Sequence, residues 1–314
     1  MRVVEVQEPG LLTTVQDLGR EGFGPMGVSS SGAADPISLR IGNRIVGNAE
    51  GAAGLEMTLL GGTFVFPEGA VFALAGSDFG ATLDRKPVEL WMGVEARPGQ
   101  VLRLGPTRSG ARCYLCVQGG IAVTPFLGSA STHLLSGLGG HEGRALRKGD
   151  VLRIGEVSGP YRKRRLAAKV LERLAPRKVL RVTPGPQCDW FPESAQKMFY
   201  ESTYGVAEES NRMGIRLQGA AISTTSGGEM ISEGVSLGAV QIPAGGLPIV
   251  LFVEQQTTGG YAKIANVISA DLSSLGQLRP RDEIRFELVN FETARSLLIE
   301  QEKLMSSPGL TAMA

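Results

Sequence analysis

Ile249-Val250-Leu251-Phe252-Val253 runs directly into Glu254-Gln255-Gln256-Thr257-Thr258-Gly259-Gly260-Tyr261-Ala262-Lys263, with Asp271 a short step further on. The apolar run has the length and β-branched character of a buried strand. A polar stretch and a Gly-Gly pair follow, so the strand is expected to open into a glycine-bearing loop. Glycine lets the backbone come close to a ligand and aim its N–H groups at it. Gln255, Gln256, Thr257 and Thr258 add neutral polar groups, Lys263 a cation and Asp271 a carboxylate. The whole reads as a polar site on a β scaffold.

The rest of the chain agrees with such a scaffold. At 314 residues it is long enough for two domains, each with its own core. Hydrophobic residues make up 42% and charged residues 20%, ordinary for a globular protein. The 43 glycines, with few long helical patterns, point to many short strands and tight turns. Thr63–Phe66, Val71–Leu74, Val101–Leu104, Ala239–Ile242, Ile249–Val253 and Lys263–Ser269 read as strands punctuated by Gly, Pro and Asp. Helices are few. Asp35-Pro36 caps one whose apolar stripe is Ile37, Ile41, Ile45 and Val46. Pro192 opens a second that runs to about Thr203. Glu292–Met305 is a third, and Ser306–Ala314 is expected to be disordered.

The balance of 32 basic and 31 acidic residues, net +1, argues against nucleic acid as the main partner. Met1-Arg2-Val3-Val4-Glu5-Val6 alternates and is charged, so it reads as a strand rather than a signal peptide. No apolar run approaches the roughly 18 residues of a membrane helix, and a cytoplasmic location is expected. Three cysteines form no closed disulfide set and fit a reducing compartment. Cys113 and Cys116 lie three apart on a strand, on opposite faces, so they belong to the core rather than to a metal or redox pair.

An internal repeat shows in two places. Arg147-Lys148-Gly149-Asp150-Val151-Leu152-Arg153-Ile154 is similar to Arg279-Pro280-Arg281-Asp282-Glu283-Ile284-Arg285-Phe286. Met1–Val6 is similar to Lys178-Val179-Leu180-Arg181-Val182-Thr183. The expected organisation is a domain over 1–157, a basic linker over 158–177, a second domain over 178–290, and a helix with a tail over 291–314. Tyr161 to Lys178 holds the one basic cluster, read as a solvated linker with a short helix.

Several chemistries are disfavoured. Gly234-Val235-Ser236-Leu237-Gly238 matches a nucleophile elbow, but Ala239-Val240-Gln241-Ile242 continues as a strand, and both histidines, His133 and His141, lie upstream. There is no Walker-type phosphate loop and no glycine fingerprint in a strand–helix context. Two isolated histidines and a C-x-x-C on a strand do not make a zinc site.

Three polar clusters remain. One is Thr13-Thr14-Val15-Gln16-Asp17-Leu18-Gly19-Arg20 with Ser29–Asp35. A second is Asn211-Arg212-Met213-Gly214-Ile215-Arg216 with Ser232-Glu233-Gly234 and Gln241. The third is the opening stretch through Asp271. Turn chemistry accounts for much of the first. Arg212, Arg216, Gln241, Gln255, Gln256 and Lys263 are not turn formers, which makes the other two the candidate site.

At Thr13–Arg20, Ser31-Gly32-Ala33-Ala34-Asp35, Asn211-Arg212-Met213-Gly214, Ser232-Glu233-Gly234, Gln241-Ile242-Pro243 and Gln255–Tyr261 the chain resembles the biotin-dependent carboxyltransferase family, also called allophanate hydrolase subunit 2-like or KipA-like proteins. The resemblance spans roughly residues 1 to 290. It implies a mainly β chain of two tandem cyclophilin-like β-barrel domains with a few short helices. It also implies partners. A bacterial member works with a KipI-like B subunit and a LamB/YcsF-like A subunit as an ATP-dependent 5-oxoprolinase, opening 5-oxoproline to L-glutamate. In urea carboxylase the corresponding region moves a carboxyl group from carboxybiotin to urea, and a third role is that of a regulator binding a KipI-like kinase inhibitor. No Met-Lys-Met occurs, so any biotin must come on another chain. One departure is Pro280-Arg281-Asp282, where the family commonly has Pro-Gly-Asp.

For lactam opening, ATP is expected to act within the complex, and cations must hold anionic groups while donors face the developing oxyanion. On that reading Arg212 and Lys263 bind anions, and Gly259-Gly260 with Gln255 and Thr257 serve the oxyanion. Gln241, Gln256, Thr258 and Tyr261 complete the substrate contacts. Glu233 or Asp271 is the acid or base. Lys263→Met and Asp271→Asn are both expected to abolish activity with folding intact.

Overall fold

The computed structural model describes residues 2–157, 159–225 and 229–313. The chain divides into two compact units. The first comprises Met1–Arg20, Ser31–Leu174 and Met305–Ala314; the second comprises Glu21–Ser30 and Ala175–Leu304.

In the first unit a seven-stranded sheet has Val3–Glu8 near its middle, between Val151–Ile154 and Thr63–Phe66. A five-stranded sheet is centred on Arg112–Val117, between Gly54–Thr58 and Ala70–Gly76. One apolar core serves both: Val4, Val6, Phe64 and Leu102 from one sheet meet Val15, Leu55, Met57 and Leu115 from the other. Cys113 and Cys116 are fully buried on their strand and free of any disulfide, and burial pushes both thiol pKa values up. The helix Pro36–Val46 begins where Asp35 accepts a hydrogen bond from Ser38 N at 3.0 Å. Part of the first polar cluster is taken up by such structural roles. Asp17, for example, accepts from Ser129 Oγ at 2.6 Å and Ser131 Oγ at 2.5 Å.

The second unit is a closed barrel. Seven strands run in the ring order Val179–Pro184, Glu283–Leu288, Tyr204–Val206, Gly214–Gln218, Ile249–Leu251, Ala239–Ile242 and Thr258–Val267. Thr258–Val267 then pairs back onto Val179–Pro184 through Val182↔Val267 and Pro184↔Ala265. An eighth strand, Glu229–Gly234, hangs outside the ring on Thr258–Val267. The mainly β reading with few helices therefore holds.

The repeated segments pair in both units but not in the same sense. Val3–Glu8 lies antiparallel to Val151–Ile154, whereas Val179–Pro184 lies parallel to Glu283–Leu288. Their turns share one device: Asp150 Oδ2 accepts from Arg147 N at 2.7 Å, and Asp282 Oδ2 from Arg279 N at 2.9 Å. Gly149 there has φ +90° and Arg281 has φ +69°, so the arginine holds a left-handed conformation that glycine adopts freely.

Three expectations change. The residues Glu254–Lys263 are not one long loop: from Thr258 onward they form a strand. The basic stretch is more than a linker: its expected short helix forms as Ala168–Leu174, but Arg164–Leu166 is a strand, and both belong to the first unit. The tail is ordered by apolar anchors: Met305 and Leu310 are fully buried, and Thr311–Met313 pairs with Arg164–Leu166.

Candidate functional site

Lys263 sits in the ring wall on the long strand Thr258–Val267, opposite Gln241 of Ala239–Ile242. Its side chain is 3% exposed, and its Nζ lies 2.7 Å from Glu233 Oε1. Burial of an ammonium demands a counter-charge and hydrogen-bond acceptors. Glu233 supplies the first; the Tyr261 carbonyl at 3.5 Å and Met230 Sδ at 3.8 Å add weaker contacts.

Gln187 ties this pair to the backbone. Its Oε1 accepts from Lys263 N at 3.2 Å while its Nε2 donates to Glu233 Oε1 at 2.9 Å. The segment carrying Gln187 lies tight along the strand: Gly185 N donates to Ile264 O, and a Cβ on Gly185 would fall 2.2 Å from Lys263 O. Only glycine fits that approach. The Lys263 ammonium first, and the Gln187 amide second, hold the Glu233 carboxyl below its ordinary pKa.

Lys263 and Glu233 open into a cleft of about 740 Å³ within the second unit. Pro186, Val235, Ser236, Thr257 and Thr258 form its sides, and Gly24, Pro25 and Gly27 contribute from the short helical turn Gly24–Met26. Lys263 is the single cation among the described residues lining it. Ser236 Oγ donates to Asn266 Oδ1 at 2.7 Å, and no helix follows Ser236, so the nucleophile-elbow geometry is absent here.

The structure thus gathers Lys263, Glu233, Thr257 and Thr258. The other expected residues do not line the cleft. Arg212 is buried, with its Nε bonded to buried Glu254 Oε1, so its charge is already matched. Asp271 is fully buried; its Oδ1 lies 2.5 Å from Arg181 Nη2, and its Oδ2 accepts from Arg181 Nε at 3.0 Å and Arg181 N at 2.8 Å. Neither lines the cleft. An aspartate that spends both oxygens on a neighbouring guanidinium and backbone is placed to lock the barrel rather than to move protons.

Gly259 and Gly260 do not form an oxyanion loop. Gly259 pairs with Glu233 across the ladder, and a Cβ there would stand 2.4 Å from Gln241 Nε2. The glycine makes room for a side chain packed against the strand. Gln241 Nε2 and Gln255 Oε1 are both buried without a hydrogen-bond partner among the described residues, while Gln255 Nε2 donates to Val235 O at 3.2 Å. Gln256 and Tyr261 are exposed and stand outside the cleft lining.

Sequence reasoning missed Gln187 and the residues around Pro186. The one available signal was Pro184-Gly185-Pro186 after the opening strand, which marks a turn but does not say where that turn lies. Among the described residues no group of three or more His, Cys, Asp or Glu could hold a metal, and no helix is long and apolar enough to cross a membrane.

The chain is 39% identical over 96% of its length, and 96% of the relative's, to the Escherichia coli 5-oxoprolinase C subunit. It is 36% identical to the Haemophilus influenzae protein of the same name, again over 96% of each. The crystal structure of the Kluyveromyces lactis urea amidolyase superposes with a TM-score of 0.90 at 32% identity, over 97% of this chain and 20% of that one. The family model described as carboxyltransferase domain, subdomain A and B, matches residues 26–288, and the chain belongs to that family.

Proposed function

We propose that this chain is the C subunit of a 5-oxoprolinase, contributing part of the site at which 5-oxoproline is opened to L-glutamate. The observation that carries the reading is Lys263, an ammonium set in a closed barrel wall and facing a cleft of about 740 Å³. A small amide acid needs a fixed cation for its carboxylate, and a buried lysine beside neutral hydroxyls supplies one. End-to-end similarity to two proteins of that name supports it.

In this reading Lys263 Nζ holds the substrate carboxylate. Thr257, Thr258 and Ser236 line the same space and can direct hydroxyls toward the lactam amide. Glu233, kept ionised by its neighbours, is a poor proton donor at neutral pH. One cation suits a carboxylate better than a triphosphate. We therefore assign ATP, which activates the lactam carbonyl, to the complex with a KipI-like and a LamB/YcsF-like partner rather than to this cleft.

The likeness to urea amidolyase supports a second reading, carboxyl transfer to an amide acceptor from biotin carried on another chain. One preparation serves both. The chain, purified with its two partners, is assayed for ATP-dependent glutamate release from 5-oxoproline and, with an added carboxybiotin-charged carrier protein, for carboxylation of urea. Glutamate release without the carrier supports the first reading; no release with all partners present, together with carboxylated urea from the carrier, overturns it.

A further inference from the structure

The ion pair in the cleft is lopsided. Lys263 is 3% exposed while Glu233 is 42% exposed. Lys263 belongs to the closed ring, whereas Glu233 belongs to the one strand that hangs outside it and pairs only along one side. The pairing of that strand is irregular between Glu229 and Glu233, and Ile231 near Glu233 is 91% exposed. A strand paired along one side opens at lower cost than a ring strand paired on both, although Glu233↔Gly259 and Gly234↔Thr258 are themselves regularly paired. The cation is therefore the more constrained member and its partner the less constrained one.

The contacts also describe the shape of what fits there. Lys263 Nζ at 2.7 Å and Gln187 Nε2 at 2.9 Å converge on one and the same oxygen, Glu233 Oε1. An ammonium and a carboxamide donor meeting one carboxylate oxygen is a seat for a planar carboxylate. One buried ammonium balances a monoanionic carboxylate, whereas a phosphate dianion at the same place keeps an uncompensated charge. A buried ammonium needs one counter-ion, and a second carboxylate at the same donors is repelled by the first.

We propose that Glu233 is a tethered competitor: its carboxylate occupies the seat that a small carboxylate ligand takes on Lys263 and Gln187, and it withdraws with its edge strand when the ligand enters. This rests on the reading of the cleft as the place of the substrate carboxylate. Occupation by Glu233 keeps the buried cation satisfied when no substrate is present. It also sets a threshold that weakly binding anions do not pass.

The test uses the full chain and trifluoroacetate, a planar carboxylate that stays ionised, with its binding followed by ¹⁹F NMR and that of inorganic phosphate, the control, by ³¹P NMR. Glu233→Gln and Glu233→Ala are expected to bind trifluoroacetate about fivefold more tightly than wild type, the worth of an ion pair with one exposed partner. Lys263→Met is expected to lose the binding, and phosphate is expected to show no such gain. Equal or weaker binding by both Glu233 variants overturns the proposal, because Glu233 would then belong to the ligand's own contacts. Binding that survives in Lys263→Met, or no saturable binding by any of these proteins, overturns it too. Glu233 is half exposed on an edge strand, and thermal unfolding of each variant confirms that the comparison is between folded proteins. Failure of the 5-oxoprolinase assay alone leaves these anion affinities readable, so the two ideas fall separately.

Discussion

Three ion pairs of the second unit, all at residues the sequence singled out, differ in kind. Arg212–Glu254 and Arg181–Asp271 are closed: side-chain exposures are 5% and 3% in the first, 15% and 1% in the second. Lys263–Glu233 is open, with one partner sealed in the wall and the other near the surface. In the linear sequence Arg212, Asp271 and Lys263 look alike, each a charge beside a glycine-bearing or polar segment. Desolvation separates them. A closed pair has both charges shut away from water, so it holds strands together. An open pair has a partner that water or a ligand can replace, so it can do chemistry.

The contrast can be broken most directly at the closed pairs. Arg212→Met strands the Glu254 carboxylate in the interior and should lower unfolding free energy by about 3–5 kcal/mol, read from the denaturant midpoint. A loss comparable to that of a surface substitution would show that the pair is not as sealed as it looks. Asp271→Asn keeps the shape but removes the charge from Arg181, and a loss of about 2–3 kcal/mol is expected by the same measurement. That reverses the sequence expectation, in which the Asp271 variant folds normally and loses only activity.

At the open pair the pattern inverts. Lys263→Met should cut glutamate formation by the reconstituted complex about 100-fold, on the scale of removing one charge-stabilising donor. Its cost in stability should stay near 1 kcal/mol or below, because Glu233 is left facing water. Equal damage to folding by Lys263→Met and Arg212→Met would erase the distinction.

The smallest effect concerns pH. The folded-state pKa of Glu233 is depressed, so its contribution is present above the ordinary glutamate range and is lost as pH falls through the lowered value. Wild type should exceed Glu233→Gln by about 0.5 kcal/mol at pH 7, with the gap closing on acidification. Paired unfolding curves at several pH values follow it, and a gap that widens toward acid contradicts the arrangement.

Much of the architecture was legible. Short runs bounded by Gly, Pro and Asp marked Thr63–Phe66 and Ala239–Ile242 to the residue, and Asp35-Pro36 marked the helix start, because these signals act over a few neighbours. The candidate site was half legible. Lys263 and Glu233 were named, but Gln187 was not, since its role depends on a glycine at 185 lying against the strand carbonyl of residue 263. Gly259-Gly260 misled for a related reason. A glycine pair signals close approach without saying whether a ligand or a neighbouring side chain approaches, and here Gly259 leaves space for Gln241. Arg212 and Asp271 misled because Glu254 and Arg181, which neutralise them, come together with them only on folding.

The ring supplies the lysine and the appended strand supplies the glutamate, so the two halves of the pair answer to different structural demands. Selectivity can drift along Glu229–Gly234 without disturbing the hydrogen-bonded circuit that keeps the protein folded. If Glu233 competes for the lysine as proposed, a lineage, or an engineer, wanting the same barrel to welcome a different acid need only rewrite that outer ribbon.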